Sequence, residues 1–209
     1  MKWIAAFTVG LLLAVASAQA GMIEDFAKKI ASLYGSHEEA PYEVTREAPG
    51  YQERTYSPKK WACTRRESPN SDVMESMFWR LYKYFSGLNE EGTFIYMTVP
   101  VTTEYRVLDT TMNQYTMCFY LDEKHQSSPP TPQDSEVFVE NRGELVILTR
   151  TVGGYFETQE HWLEEAGKLA AVITSNGEKV SLAHQYWAGY DAPLKFWNRR
   201  NEVWFLKRY

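Results

Sequence analysis

The sequence predicts an α+β domain in which two helices lie on a curved, largely antiparallel sheet or barrel. Three observations carry this. Short segments alternate apolar and polar residues with a period of two. Two longer segments carry an apolar stripe at helical spacing. One order of elements, strand–strand–helix–strand–strand, occurs twice along the chain.

The first round of that order has strands over residues 51–56 and 60–65, a helix over 72–86 stopped by Gly87, and strands over 94–101 and 114–121. Side chains two apart point the same way, so Ile95, Met97, Val99 and Val101 fall on one face, as do Tyr115, Met117, Phe119 and Leu121. The second round has strands over 136–140 and 144–152, a helix over 158–175 stopped by Asn176-Gly177, and strands over 185–190 and 201–208. On its helix, Trp162, Leu163, Ala166, Leu169, Ala170 and Ile173 form one stripe, with Glu160, Glu164, Glu165 and Lys168 off it. Between the rounds lies Ser127-Ser128-Pro129-Pro130-Thr131-Pro132, a connecting loop, because prolines at this density cannot serve a central strand. The halves share element order more than residue identity, which reads as a structural duplication.

Ahead of this body, Lys2, an uncharged apolar run over 3–15 and the small residues Ala16-Ser17-Ala18-Gln19-Ala20 have the layout of a cleaved secretory signal. The expected organisation is therefore a signal peptide over 1–20, an amphipathic lead-in over 21–41 and one domain over 42–209, secreted and extracellular. An uncleaved anchor ranks second, because no cluster of positive charge follows the run. The rest of the chain has no segment long and apolar enough to cross a membrane as a helix. A net charge of -5 without a basic tract argues against nucleic acid as a partner. The only cysteines are Cys63 and Cys118. An oxidising destination would let them pair, and otherwise each serves as a small core residue of a strand.

The first helix has one apolar face too many. Asp72 and Glu75 suit a capping box at its start. Val73, Met77, Leu81 and Tyr84 make the core stripe, with Met74 and Phe85 at its edges. Phe78, Trp79 and Tyr82 then form a second, aromatic surface, and Lys83 stands beside it. Rings edged by an ammonium suit a flat, apolar, anionic molecule such as a porphyrin. The alternative is that the lead-in or the C-terminal loop covers them as ordinary core.

Catalytic patterns are missing. CxxCH, HExxH, Walker, GxGxxG and G-x-S-x-G motifs are all absent. His37, His125, His161 and His184 are scattered and none lies on the aromatic face of the first helix, so no metal site is expected from them. The reading is a binding protein rather than an enzyme.

Four stretches in order resemble the haem-binding SOUL family. They are Tyr51-Gln52-Glu53-Arg54-Thr55-Tyr56 with Lys60-Trp61-Ala62-Cys63-Thr64, the helix end Lys83-Tyr84-Phe85-Ser86-Gly87-Leu88-Asn89, Met97-Thr98-Val99-Pro100-Val101, and the C-terminal Ala188-Gly189-Tyr190-Asp191-Ala192-Pro193-Leu194-Lys195 with Asn198-Arg199-Arg200-Asn201-Glu202-Val203-Trp204. The resemblance covers about residues 42–209. It implies a duplicated unit forming a twisted antiparallel β-barrel flanked by two α-helices, and reversible, non-covalent binding of haem or another tetrapyrrole beside the first helix. By position, Phe78 and Tyr82 would meet the macrocycle, and Lys83 and Lys195 its propionates. Some members carry a strand histidine proposed to ligate iron; the matching residue here is Thr55, so no strand ligand is expected. The signal segment is a second departure and points to an extracellular carrier or scavenger. The alternative is a secreted protein-interaction module that uses the same rings to dock a partner or a second copy of the chain.

Overall fold

A computed structural model describes residues 37–156, 158–191, 195 and 197–207. The expected signal segment and the lead-in up to residue 36 lie outside the described residues, as does the end of the last expected strand at residue 208. The described strands are β1 (Glu38–Glu39), β2 (Tyr42–Ala48), β3 (Tyr51–Tyr56), β4 (Lys59–Ser68), β5 (Thr98–Val99), β6 (Val101–Val107), β7 (Asn113–Tyr120), β8 (Phe138–Arg142), β9 (Leu145–Val152), β10 (His184–Gly189) and β11 (Asn201–Leu206). The helices are α1 (Val73–Phe85), a single turn α2 (Glu123–Gln126) and α3 (Gln159–Ser175). None of the described helices is long and apolar enough to cross a membrane.

Nine strands form one antiparallel sheet in the order β2-β3-β9-β11-β10-β6-β7-β4-β8, and β1 pairs in parallel with β5. The hydrogen-bonded order has two ends, β2 and β8, so the sheet is curled rather than closed into a ring. Its curl is visible in Arg142 of the edge strand β8. On a flat sheet, strand spacing would hold it about 14 Å from β6, three places away. Instead its Nη1 lies 3.3 Å from Oγ1 of Thr102 on β6, and its guanidinium carbon 5.7 Å from the ring centre of Tyr186 on β10.

The two halves use matching pairs. In the first, β4 pairs with β7 and β7 with β6; in the second, β9 pairs with β11 and β11 with β10. The centre is β6 against β10. The remaining pairs cross over: β3, from the first half, adds to β9, and β8, from the second, adds to β4. The helices follow the same pattern, α1 lying on β4 and β7 and α3 on β11, β3 and β9.

Alternation along the strands divides the core in two. Met117 and Phe119 on β7, Val203 and Phe205 on β11 and Trp187 on β10 face the helices, where they meet Met77, Leu81 and Phe85 of α1 and Trp162, Leu169 and Ile173 of α3. The intervening residues, among them Trp61, Cys63, Cys118, Tyr120, Tyr186 and Trp204, fill the inner face with Tyr56 and Ile147. Cys63 and Cys118 stand opposite each other in the β4–β7 ladder and are joined by a disulfide.

Most expected elements are present, with shifted ends. The strand expected over 94–101 is corrected. Residues 94–97 lie outside any strand, β5 is only two residues long, and the true strand is β6. Pro100 has no N–H to give a ladder, so the run breaks there. The break also changes face: Val101 packs with the helix-side core, but Val99 packs with the inner one. The capping box is likewise corrected, since Asp72 has helical backbone angles and makes no side-chain cap bond. The strand β2 went unpredicted. Its Glu43, Val44, Thr45, Arg46 and Glu47 are all exposed, so it carries no buried stripe to read, and a bulge between Val44 and Arg46 breaks its alternation.

Candidate functional site: the outer face of the first helix

α1 is fixed from beneath by its buried face, Met77, Leu81, Tyr84 and Phe85. Its C-terminal end is held by the loop between the halves. Tyr84 donates its hydroxyl to the carbonyl of Pro130 at 2.6 Å, and the side-chain amide of Asn89 donates to the carbonyls of Tyr84 and Thr93 at 3.1 and 2.7 Å. On its flank, Arg80 pairs with Asp134 at 3.0 Å and with Glu136, which also holds Arg66. The helix therefore cannot roll without breaking these ties, and the orientation of its outer face is set.

That face carries the predicted rings. Phe78 and Tyr82, one turn apart, lie with their planes 11° from parallel and their centres 6.3 Å apart. Trp79 stands upright against both, at 84° to Phe78 and 89° to Tyr82, with centres 5.4 and 5.5 Å away. Phe78 also touches Phe119 of β7 at 5.3 Å, so it is half core and half surface. Tyr82 is half-buried, and Trp79 is 46% exposed. The result is a step: two near-parallel rings for a tread and one indole for a riser.

Lys83 is exposed in the last turn of α1, where the helix dipole favours a cation. Its ammonium has no hydrogen-bond or ion-pair partner among the described residues. Lys195 is different. It lies half-buried in the β10–β11 loop, with its ammonium paired to Asp191. Its carbonyl accepts from the Tyr155 hydroxyl at 3.1 Å and from Arg199 Nη1 at 2.7 Å. That loop leaves the sheet where Gly189 pairs with Val101 and Val101 with Phe119, the residue beneath Phe78. The structure thus gathers Phe78, Trp79, Tyr82 and Lys83 on one helix face and gives Lys195 a partner of its own. Thr55 sits on β3, which packs under α3, away from these rings.

A concavity of about 580 Å³ opens elsewhere, over β2, β3 and β9, lined in part by Tyr42, Tyr51, Arg54, Arg150 and Arg200. Its guanidinium groups are committed: Arg54 to Glu202, Arg150 to Glu165, and Arg200 to Glu39 and Glu202. An anion entering there would have to displace an existing carboxylate. Sequence spacing did not expose this network, because its members come from strands distant along the chain.

The geometry is a helix-borne aromatic step over an antiparallel sheet, and comparison with known proteins identifies the family. The SOUL heme-binding protein family model matches residues 37–206. The chain belongs to the SOUL family. Among curated relatives, human "Heme-binding protein 2" is 31% identical over 191 residues, covering 90% of this chain and 92% of the relative. Mouse "Heme-binding protein 1" is 29% identical over 183 residues, covering 84% and 96%. The SOUL fold also extends to remote structures. The C-terminal domain of EcmrR superimposes with a TM-score of 0.57 at 11% identity, covering 80% of this chain and 98% of that one, which establishes shared fold alone.

Proposed function

We propose that this SOUL protein binds haem or a related tetrapyrrole reversibly on the outer face of α1. It acts as a carrier or scavenger rather than an enzyme. The observation that carries this is the aromatic step with an ammonium beside it that has no partner among the described residues. A macrocycle can lie on the Phe78 and Tyr82 rings with its edge against Trp79, while Lys83 meets a propionate. Family membership and the names of the curated relatives support the ligand class. Lys195 is assigned the second propionate, at the cost of loosening its pair with Asp191. With Thr55 in place of a strand histidine, the chain supplies no strand ligand to iron, and affinity comes from ring contact and charge.

Secretion is part of the proposal. It is supported by the signal-like first twenty residues and by the Cys63–Cys118 disulfide, since such bonds persist in oxidising compartments. An origin by duplication is supported by the matching strand pairs of the two halves. Nucleic acid and membrane are not among the proposed partners, and the exposed Trp79 leaves self-association through the same step as the alternative reading.

The test is titration of the purified protein with haem and, separately, with metal-free protoporphyrin, read by absorbance and by tryptophan fluorescence. The expected result is saturable binding of both with similar affinity. Absence of saturable binding to either would overturn the proposal. Haem binding without protoporphyrin binding would overturn its metal-independent form.

A further inference from the structure

The inner face of the sheet holds a group of donors that the ligand surface on α1 does not use. Cys63 and Cys118 are fully buried, and Glu140 of β8 brings its carboxylate over both sulfurs. Oε2 lies 3.2 Å from Sγ of Cys63 and 3.7 Å from Sγ of Cys118. A disulfide sulfur carries no proton, so this carboxylate gains no hydrogen bond from either while the bond is closed. Arg142 lies 3.6 Å from the same oxygen. The Glu140 side chain is 40% exposed, and so gives the buried sulfurs a route to solvent.

We propose that the reduced Cys63–Cys118 pair and Glu140 form a binding site for one thiophilic divalent cation of the zinc class, and that the disulfide is its closed state. The three donor atoms all lie within 4.8 Å of one another. Tetrahedral zinc, with bonds of about 2.3 Å to sulfur and 2.0–2.2 Å to oxygen, needs sulfur–oxygen edges of roughly 3.5 Å. The two sulfur–oxygen separations already bracket that value. Cleaving the bond frees the sulfurs to part around an ion, and three protein donors leave the fourth position to water. Charge balances as well: two thiolates and a carboxylate are matched by a dication and the Arg142 guanidinium.

Opening the site needs a reductant, and a dithiol suffices. It delivers two electrons and two protons to the sulfur–sulfur bond, leaving two cysteine thiols and its own disulfide. Metal binding then displaces the two thiol protons to solvent. The alternation of β4 and β7 puts the sulfurs on the face turned away from α1, so this inference stands apart from the tetrapyrrole reading.

The experiment uses the whole protein and no tetrapyrrole. One sample is reduced with dithiothreitol, freed of it anaerobically and titrated with Co²⁺; an untreated sample is titrated in parallel. The expected result is one equivalent of tetrahedral cobalt with a thiolate charge-transfer band in the reduced sample only, displaced by Zn²⁺, with two protons released per ion. Glu140→Gln should weaken cobalt binding at least about tenfold without altering the near-ultraviolet circular dichroism. The double variant Cys63→Ser/Cys118→Ser should lose the band while remaining folded. The proposal is overturned if the reduced protein shows no thiolate band, if reduction unfolds the sheet, or if either variant binds cobalt as the reduced parent does.

Discussion

Arg54 of β3 reaches over β9 to grip both carboxylate oxygens of Glu202 on β11, at 3.1 and 2.9 Å. Neither group meets water to any extent, the side chains being 5% and 0% exposed. Glu202 also accepts from Tyr190 and Trp204 at 2.8 Å and from Arg200 at 3.0 Å, so its lone pairs are filled. Burial alone would raise its pKa, but Arg54 and Arg200 reverse that and hold it below the usual carboxylate value. Removing one member leaves the other charged and buried. Arg54→Ala should therefore cost about 3–5 kcal/mol in urea denaturation. A loss under about 1 kcal/mol would show that water replaces the partner.

Acid stability should depend on Glu104. Burial pushes its pKa up, yet hydrogen bonds from His184, Arg106 and Tyr186 bring it down to about 2. A carboxylate whose folded pKa lies below its unfolded value adds stability that is fully present above the unfolded pKa. That stability is lost as pH falls from there toward about 2. Glu104→Gln should flatten the stability profile between about pH 4.5 and pH 2. The check is chemical denaturation across that range; a slope equal to the parent's would refute it.

Ligand affinity should respond to the outer face of α1 without loss of fold. Trp79 is 46% exposed but packs edge-on against Phe78 and Tyr82, so Trp79→Ala should cost about 1–3 kcal/mol and leave the fold intact. It should weaken tetrapyrrole binding by roughly three- to tenfold, the worth of one aromatic contact. Lys83→Ala should weaken it by about two- to fivefold, as expected of an exposed ion pair, and the difference should shrink in high salt. Lys195→Ala should have a smaller effect than Lys83→Ala, because Lys195 begins with a partner. Isothermal titration of the three variants gives the order, and an unchanged affinity in all three would place the ligand elsewhere.

The Cys63–Cys118 bond closes a loop of 55 residues. Constraint of the unfolded chain on that scale stabilises by about 2–4 kcal/mol. The Cys63→Ser/Cys118→Ser protein should therefore unfold at lower denaturant concentration by that amount while keeping a cooperative transition. Loss of cooperativity would mean that the bond defines the fold rather than reinforces it.

How much was legible in the sequence depended on whether an element buries one regular stripe. α1 and α3 do, and both appeared within about a residue of their true ends. On β7, Tyr115, Met117 and Phe119 alternate cleanly and were read correctly. The strand β6 was missed because its inner face is polar: Thr102 donates to the Cys118 carbonyl of β7, Glu104 holds His184 of β10, and Arg106 pairs with Glu104 on the same strand. The aromatic step could be read because excess rings on a helix need no tertiary information. The tie between Lys195 and Asp191 could not, since four-residue spacing in an irregular loop says nothing about contact. His125, one of the four scattered histidines, is buried against Asp122, whose carboxylate caps the short α2 turn.

The crossed pairing of β3 with β9 and β8 with β4 has a consequence for how this molecule can be divided. Each half surrenders a strand to the other, so neither resembles a domain that could stand alone. A cut in the proline-rich connector should give two pieces that are unstructured apart and regain the sheet only when mixed. If the ancestor was a single half, it had to work as a twin of identical chains, and fusion made that partnership permanent.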